Sequence, residues 1–400
     1  MKFGKKEKPE RPAGQPLTKP AVSVEGFVFI ALFLAFFISI GRVMGAINML
    51  NTMMNTAFDL LINTVFYIMA IAVLAGAISA LFSEFGVVSL LNKVLAVIMK
   101  PVWGLPGAAS LGIVTTYLSD NPAILTLASD NEFKKYFKKY QLPALTNLGT
   151  AFGMGLIITA YMMGIKSPNG ESFVGPALIG NLGAVIGSLV STRLMLHFTS
   201  KIYGKDEWMI PHNSNEQEKE SDTRRISEGG IGERFLNAML TGGKSGVEVG
   251  FAIIPGVLII CTIVMILTNG AGDGGVYTGA AYEGIGLLPA IGEKLNFILK
   301  PLFGFTSSSC IAVPITALGA AGAAIGLIPN MIQTGIANAH DIAVFTAMSM
   351  CWSGYLSTHV AMMDGLNCRE LTGKAIISHT VGGLCAGIAT NWIFNLISMI

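Results

Sequence analysis

Residues 93–104 read KVLAVIMKPVWG and residues 293–304 read EKLNFILKPLFG, so the second stretch follows the first at an offset of 200 (300 minus 100). Leu95/Leu295, Ile98/Ile298, Lys100/Lys300, Pro101/Pro301 and Gly104/Gly304 are identical. Apolar helices share composition easily, but a paired Lys-Pro-x-x-Gly is hard to obtain that way, so the chain is read as one helical unit used twice. Upstream, Leu50-Asn51-Thr52-Met53 pairs with Leu236-Asn237-Ala238-Met239 at an offset of 186, and a Gly-rich insert at 269–286 takes up the difference. Downstream, 175–193 matches 373–392 with one gap. The expected division is a cytoplasmic tail (1–22), a first transmembrane helix (23–45), unit 1 (46–203), a polar cytoplasmic linker (204–232) and unit 2 (233–400).

Composition sets the solvent. Charged residues make up 12% of the 400 and hydrophobic ones 52%, with a mean hydropathy of +0.61, whereas soluble domains carry roughly 25% charged residues. Crossing a bilayer core takes roughly 20 helical residues. Uncharged runs of that length lie at 60–83, 141–165, 172–192 and 249–272, and 342–363 and 375–400 qualify with one histidine each. With the shorter run 26–41, read as a retained helix and not a cleaved leader, about seven spans are expected. Continuous Ala, Leu, Ile and Met runs argue against the alternating pattern of a β-barrel. The fold class is therefore an all-α polytopic membrane protein, multi-pass in a bacterial inner or plasma membrane. A net charge of +2 without a basic stripe gives no nucleic-acid footprint. The five cysteines form no CxxC pair, so no metal centre is expected, and no cofactor either.

Two segments are too long for one crossing. As single helices, 301–339 would be about 60 Å long and 101–129 about 44 Å, against a core of about 30 Å. Each is expected to turn back as a broken or re-entrant hairpin, the first at Asp120-Asn121-Pro122. Irregular backbone at membrane depth is tolerated only against protein or a water-filled cavity, so such hairpins line sites. The positive-inside rule places the N-terminal lysines, Lys134, Lys135, Lys138, Lys139 and the linker inside. Unit 2 then starts inside and its hairpin enters from outside, which makes the two repeats inverted in topology, an arrangement of many secondary transporters.

The Leu-Asn-x-Met helix, the Lys-Pro-x-x-Gly element and the Ser119-Asp120-Asn121-Pro122 break resemble the nucleoside-recognition, or Gate, domain over about 48–193 and 234–395. That domain occurs in concentrative nucleoside transporters, ferrous-iron transporter B and spore maturation proteins A and B. No GxxxxGK[ST] loop is present: Gly243-Lys244-Ser245 supplies the end, but position 238 is Ala238, which disfavours the iron-transporter reading. The resemblance implies a solute transporter, or a non-transporting membrane assembly or sporulation-type factor.

The candidate binding residues are Ser119, Asp120 and Asn121 on the first hairpin, Thr306, Ser307, Ser308 and Asn330 on the second, and the aligned pair Asn181 and His379. A membrane carboxylate is costly unless paired, protonated or wetted, yet Asp120 also suits a helix N-cap ahead of Pro122. Serines and threonines more often bond only a helical carbonyl, which is the reading favoured for Thr306 to Ser309. Coupling-ion candidates, for a proton or sodium, are Asp120, Glu248 and His359; Glu248 also reads as an interfacial carboxylate, and the histidines as polar links between helices. No HExxH, GxSxG or paired carboxylates with a partner histidine point to an enzyme. The expected partners are the bilayer, a small polar solute (nucleoside-like or another small anion) and a coupling ion, with a homo-oligomer left open. A transporter requires polar residues of both hairpins to converge at mid-depth, with the Asp120 break facing 306–309.

Overall fold

The computed structural model describes residues 19–121, 123–129, 131–210 and 226–399. The basic tail at 2–11, Pro122, and Arg224 and Arg225 of the linker fall outside them. Among the described residues, six helices are long and apolar enough to cross a membrane, seven if the bent pair 287–303 and 308–317 counts as one span. Helix α1 (Val24–Met44) buries Ile40 and Met44, near its C-terminal end, against Met49 and Ile266, with Phe37 packed beside them.

The Leu-Asn-x-Met helix and the run 60–83 of unit 1 form one continuous helix, α2 (Ala46–Glu84), of 39 residues. At 1.5 Å per residue that is about 58 Å, so it must tilt steeply or extend beyond the lipid core. Its first third is inside-out. Ile47 and Met54 are 75% and 71% exposed, while Thr52 and Thr56 are fully buried. Exposed apolar and buried polar side chains on one helix are what a lipid-facing surface requires. The counterpart, α9 (Ile231–Thr268), is also continuous, with Pro255 inside it. Each long helix holds one π turn, Leu60–Val65 in α2 and Gly256–Cys261 in α9.

Between these lie α3 (Val87–Ile98, extended by a π turn Met99–Trp103), α4 (Ser110–Leu118), α5 (Ala123–Ser129), α6 (Ala144–Thr150), α7 (Gly155–Gly164) and α8 (Val174–Tyr203). After α9 come α10 (Leu287–Phe303), α11 (Ala312–Ala317), α12 (Ala321–Gln333), α13 (Ala339–Cys351), α14 (Tyr355–Gly365) and α15 (Thr372–Ser398). The run 342–363, read above as one span, is interrupted at 352–354 between α13 and α14. The pattern could not show this, because Trp352-Ser353-Gly354 carries no charge and no proline to mark a break.

Two helix pairs form the frame, α2 with α9 and α8 with α15. Lipid offers no hydrophobic drive between helices, so small residues that admit close backbones decide where they cross. A methyl on Gly76 would strike the Gly242 carbonyl of α9, and one on Gly187 of α8 would stand 2.7 Å from the Gly382 carbonyl of α15.

The Lys-Pro-x-x-Gly motif is a helix stop. Gly104 (φ 78°) and Gly304 (φ 66°) take the left-handed conformation that ends α3 and α10. The freed carbonyls are capped from the last helix of each unit. Arg193 donates to Pro101 and Val102 carbonyls at 2.6 and 2.8 Å, and Asn391 to Pro301 and Leu302 carbonyls at 3.5 and 3.0 Å.

The insert at 269–286 clasps the polar face of α2. Asn48 and Asn55 donate to the Tyr277 and Gly279 carbonyls, and Tyr282 bonds Asp59. Glu283, only 3% exposed, closes the loop by accepting from Thr278 N and Oγ1 and from Gly279 N. Desolvation pushes its pKa up, but these hydrogen bonds outweigh it and the net effect lies below the usual carboxylate value of 4.5. The clasp is thus at full strength above about pH 4.5 and is lost as pH falls through the depressed folded value. Protection of the 276–284 amides, measured against their intrinsic exchange rates, is expected to stay high from pH 8 to 5 and to be lost only as pH falls through the depressed value of Glu283. In Glu283→Gln it should be low throughout; equal protection of the two proteins at pH 7 would refute the role of the charge.

Candidate functional site

Helices α4 and α5 pack against each other as one hairpin and α11 and α12 as a second. The first turns at Ser119–Asn121, where the Asp120 and Asn121 carbonyls accept the first backbone N–H groups of α5. The second turns at Leu318–Ala320. Opposite them, α6 and α7 are separated by a break at 151–154, and α13 and α14 by one at 352–354. Met154 (φ 54°) and Gly354 (φ 62°) are both left-handed and stand 200 residues apart (354 minus 154), the spacing of the Lys-Pro-x-x-Gly pair. Methionine bears a cost there that glycine does not.

Both hairpin turns reach the second break. Asn121, 1% exposed, donates Nδ2 to the Ser353 carbonyl at 2.6 Å. Its Oδ1 lies against Gly153, where a Cβ would overlap it, and has no hydrogen-bond partner among the described residues. A Cβ on Gly354 would stand 3.7 Å from the Gly319 carbonyl oxygen of the second turn. Asp120 is half-buried, and its Oδ1 accepts from Asn121 N at 2.7 Å. Ser119 donates to the Thr115 carbonyl, the local role expected of a serine ending a helix.

A chain of buried polar groups runs behind the breaks and joins the two units. Asn147 donates Nδ2 to Ser191 Oγ (2.9 Å) and to the Ala375 carbonyl (3.1 Å). Ser191 Oγ lies 2.8 Å from His379 Nδ1, and His379 Nε2 faces the Cys351 carbonyl at the edge of the second break. A carbonyl cannot donate, so Nε2 carries the proton, Nδ1 accepts from Ser191, and a neutral imidazole satisfies every partner. The His359 ring lies 4.7 Å from that of His379, with Nδ1 3.5 Å from Thr150 Oγ1. Burying these groups without partners would cost several kcal/mol, so their pairing ties the relative position of α6, α8, α13 and α15.

Asn121 and His379 reach the second break, at the Ser353 and Cys351 carbonyls, and His359 lies ring beside ring with His379; Ser119 and Asp120 flank Asn121 in the first turn. Asn181 lies to one side, donating to Thr159 Oγ1, which is 3.4 Å from the Tyr117 hydroxyl of α4. The expected facing of the Asp120 break by 306–309 is not what the fold provides. Thr306, Ser307 and Ser308 sit at the base of the second hairpin: the Thr306 N–H donates to Asp341, and the Ser307 hydroxyl caps the Ser309 N–H. Asn330 is nine residues along α12 from its first residue, about 13 Å from the turn at 1.5 Å per residue. Glu248 is exposed on the outer surface of α9. Polarity drew attention to these positions, whereas the second turn, Leu318-Gly319-Ala320, has no polar side chain. Asn147, Thr150, Gly153, Ser191 and Ser353 were missed. The offset of 200 would have found two of them, because it pairs Phe152-Gly153-Met154 with Trp352-Ser353-Gly354.

No family model matches the chain, and no curated protein does. Solved structures of the concentrative nucleoside transporter CNTnw do resemble it. The inward-facing substrate-bound state aligns with a TM-score of 0.50 at 14% identity, covering 92% of this chain and 85% of that one. A variant in an outward-facing state gives 0.50 at 13%, covering 93% and 85%. At such low identity the likeness shows the fold, an all-α membrane architecture shared over most of both chains.

Proposed function

We propose that this chain is a secondary transporter that carries a small polar solute by alternating access between two inverted units, 46–203 and 233–400, in a bacterial cell membrane. One observation carries the reading: two hairpin turns from different halves of the chain reach the same helix break, where Asn121 meets the Ser353 carbonyl at 2.6 Å. Interrupted helices free backbone carbonyls and N–H groups inside the membrane, which are the groups that bind ions and polar solutes there. The shared fold with a transporter solved in inward- and outward-facing states adds support, as does the Gate-domain resemblance.

In this reading Asp120 and Asn121 contact the solute, a nucleoside-like molecule or another small anion. The breaks at 151–154 and 352–354 offer backbone groups to it and to a coupling proton or sodium ion. His359 and His379 hold the breaks in register. Purified protein in proteoliposomes is tested against a panel of nucleosides, nucleobases and small organic anions under proton and sodium gradients. Uptake of at least one solute above empty liposomes is expected, with Asp120→Asn lowering its initial rate at least tenfold. No uptake of any solute under either gradient would count for an assembly factor. Uptake that Asp120→Asn leaves intact would remove the Asp120 charge from the mechanism.

A further inference from the structure

Away from the breaks, a second concave site lies at the ends of α3 and α8. After α8 the chain turns at Gly204 (φ 70°) and runs back beside residues 137–139: Lys139 N donates to the Glu207 carbonyl at 2.8 Å and Met209 N to the Phe137 carbonyl at 3.0 Å. This return stands the Trp208 ring 5.5 Å from Lys138 Nζ as one wall of a cavity of about 520 Å³. That is within the roughly 300–1,000 Å³ of small-ligand pockets. Lys100, Lys138, Arg193 and Lys205 line it, together with Tyr140 and Trp208, and among the described residues none of the lining is acidic. Among the described residues, the nearby carboxylates do not neutralise it. Asp206 is fully exposed and 4.0 Å from Lys138, and Glu207 pairs with Lys139, which is not in the lining. An exposed pair of this kind contributes little.

We infer that this cavity binds a phosphate-bearing anion. Four like charges around one concavity repel each other until an anion of high charge density occupies it, and lysine and arginine are the side chains that recognise phosphate. Two sources share this chemistry, an anionic phospholipid headgroup and a soluble phosphate compound. The lipid source is favoured by position: α3 at the cavity's edge turns Val94 and Val97, 63% and 76% exposed, outward where acyl chains would lie. Basic pockets beside membrane helices hold headgroups in this way. The inference does not depend on transport.

The test uses the full-length protein in three settings: phosphatidylcholine nanodiscs, the same with phosphatidylglycerol, and phosphatidylcholine with inorganic pyrophosphate. Amine acylation of Lys100 and Lys205, read by peptide mass spectrometry on the wild type, is expected to slow at least fivefold in the second or third setting relative to the first. Protection by phosphatidylglycerol alone identifies a headgroup site; protection by pyrophosphate alone identifies a soluble phosphate; protection by both supports the shared chemistry. In a Lys100→Gln/Lys205→Gln variant, read by acylation of Lys138, which also lines the cavity, the half-saturating anion concentration should rise about 25-fold, roughly fivefold for each lysine removed. Unchanged acylation in all three settings would overturn the inference, and so would a half-saturating concentration unmoved by the double substitution.

Discussion

Asn121→Ala is expected to reach the membrane folded and to lose at least nine-tenths of its solute uptake. The Asn121 amide is the one side-chain hydrogen bond between the first hairpin's turn and the second break among the described residues, and its acceptor, the Ser353 carbonyl, belongs to a residue only 4% exposed. Removing the donor leaves that buried carbonyl without this bond, at a cost of about 1–3 kcal/mol. The cost falls only on conformations that contain the contact. It therefore shifts the balance among transport states by about 5- to 150-fold while changing global stability little. Initial uptake rates in proteoliposomes, beside melting temperatures in detergent, separate the two effects. Gly153→Ala provides an independent check, since its methyl would overlap Asn121 Oδ1 and displace the same turn. If both variants carry solute at wild-type rates, the contact between turn and break takes no part in transport.

The second large effect concerns the frame. Gly242→Leu should leave almost no monodisperse protein, because a side chain there must enter the space held by the Gly76 carbonyl and the Ala80 methyl of α2. Overpacking in a dense interior costs about 1–3 kcal/mol where neighbours can shift. Backbone on both sides cannot shift without parting α2 from α9 along their crossing, so the expected loss is at the upper end or beyond. Gly175→Leu is the matched control, a helical glycine with open space around its Cα. Size-exclusion profiles of the two variants, solubilised identically, check the prediction. A normal profile for Gly242→Leu would show that the crossing is not as close as the structure has it.

Much of the fold was legible because lipid imposes coarse rules. Span length, sparse charge and the need to pair every backbone group led to an all-α membrane protein, and the two Lys-Pro-x-x-Gly elements marked where α3 and α10 end. The motif proved readable because it is a local device: proline is accommodated in the last turn and a left-handed glycine ends the helix, whatever surrounds it. The π turns left no such mark. Cys261, in the π turn of α9, donates its thiol to the Ala323 carbonyl of α12 at 2.9 Å, and Gly326 of α12 lies close to Thr64 in the π turn of α2. These turns adjust two long helices to a neighbour far away in sequence.

The candidate site was half legible. Asp120 and Asn121 announced themselves as polar residues before a proline in an apolar run, and His359 and His379 as lone histidines in spans. Thr306, Ser307, Ser308, Asn330 and Glu248 had the same credentials and lie elsewhere, since polarity at membrane depth says that a residue needs a partner and not which one. Sequence by itself determined the solvent and the helix class and marked the two Lys-Pro-x-x-Gly elements, because each follows from composition or from contacts within a turn or two. Only the tertiary structure decided that both hairpin turns reach one break, that Asn121 meets Ser353, and that two histidines 20 residues apart lie ring beside ring. Those relations join residues up to 232 positions apart, through close helix crossings that glycine permits but does not by itself locate.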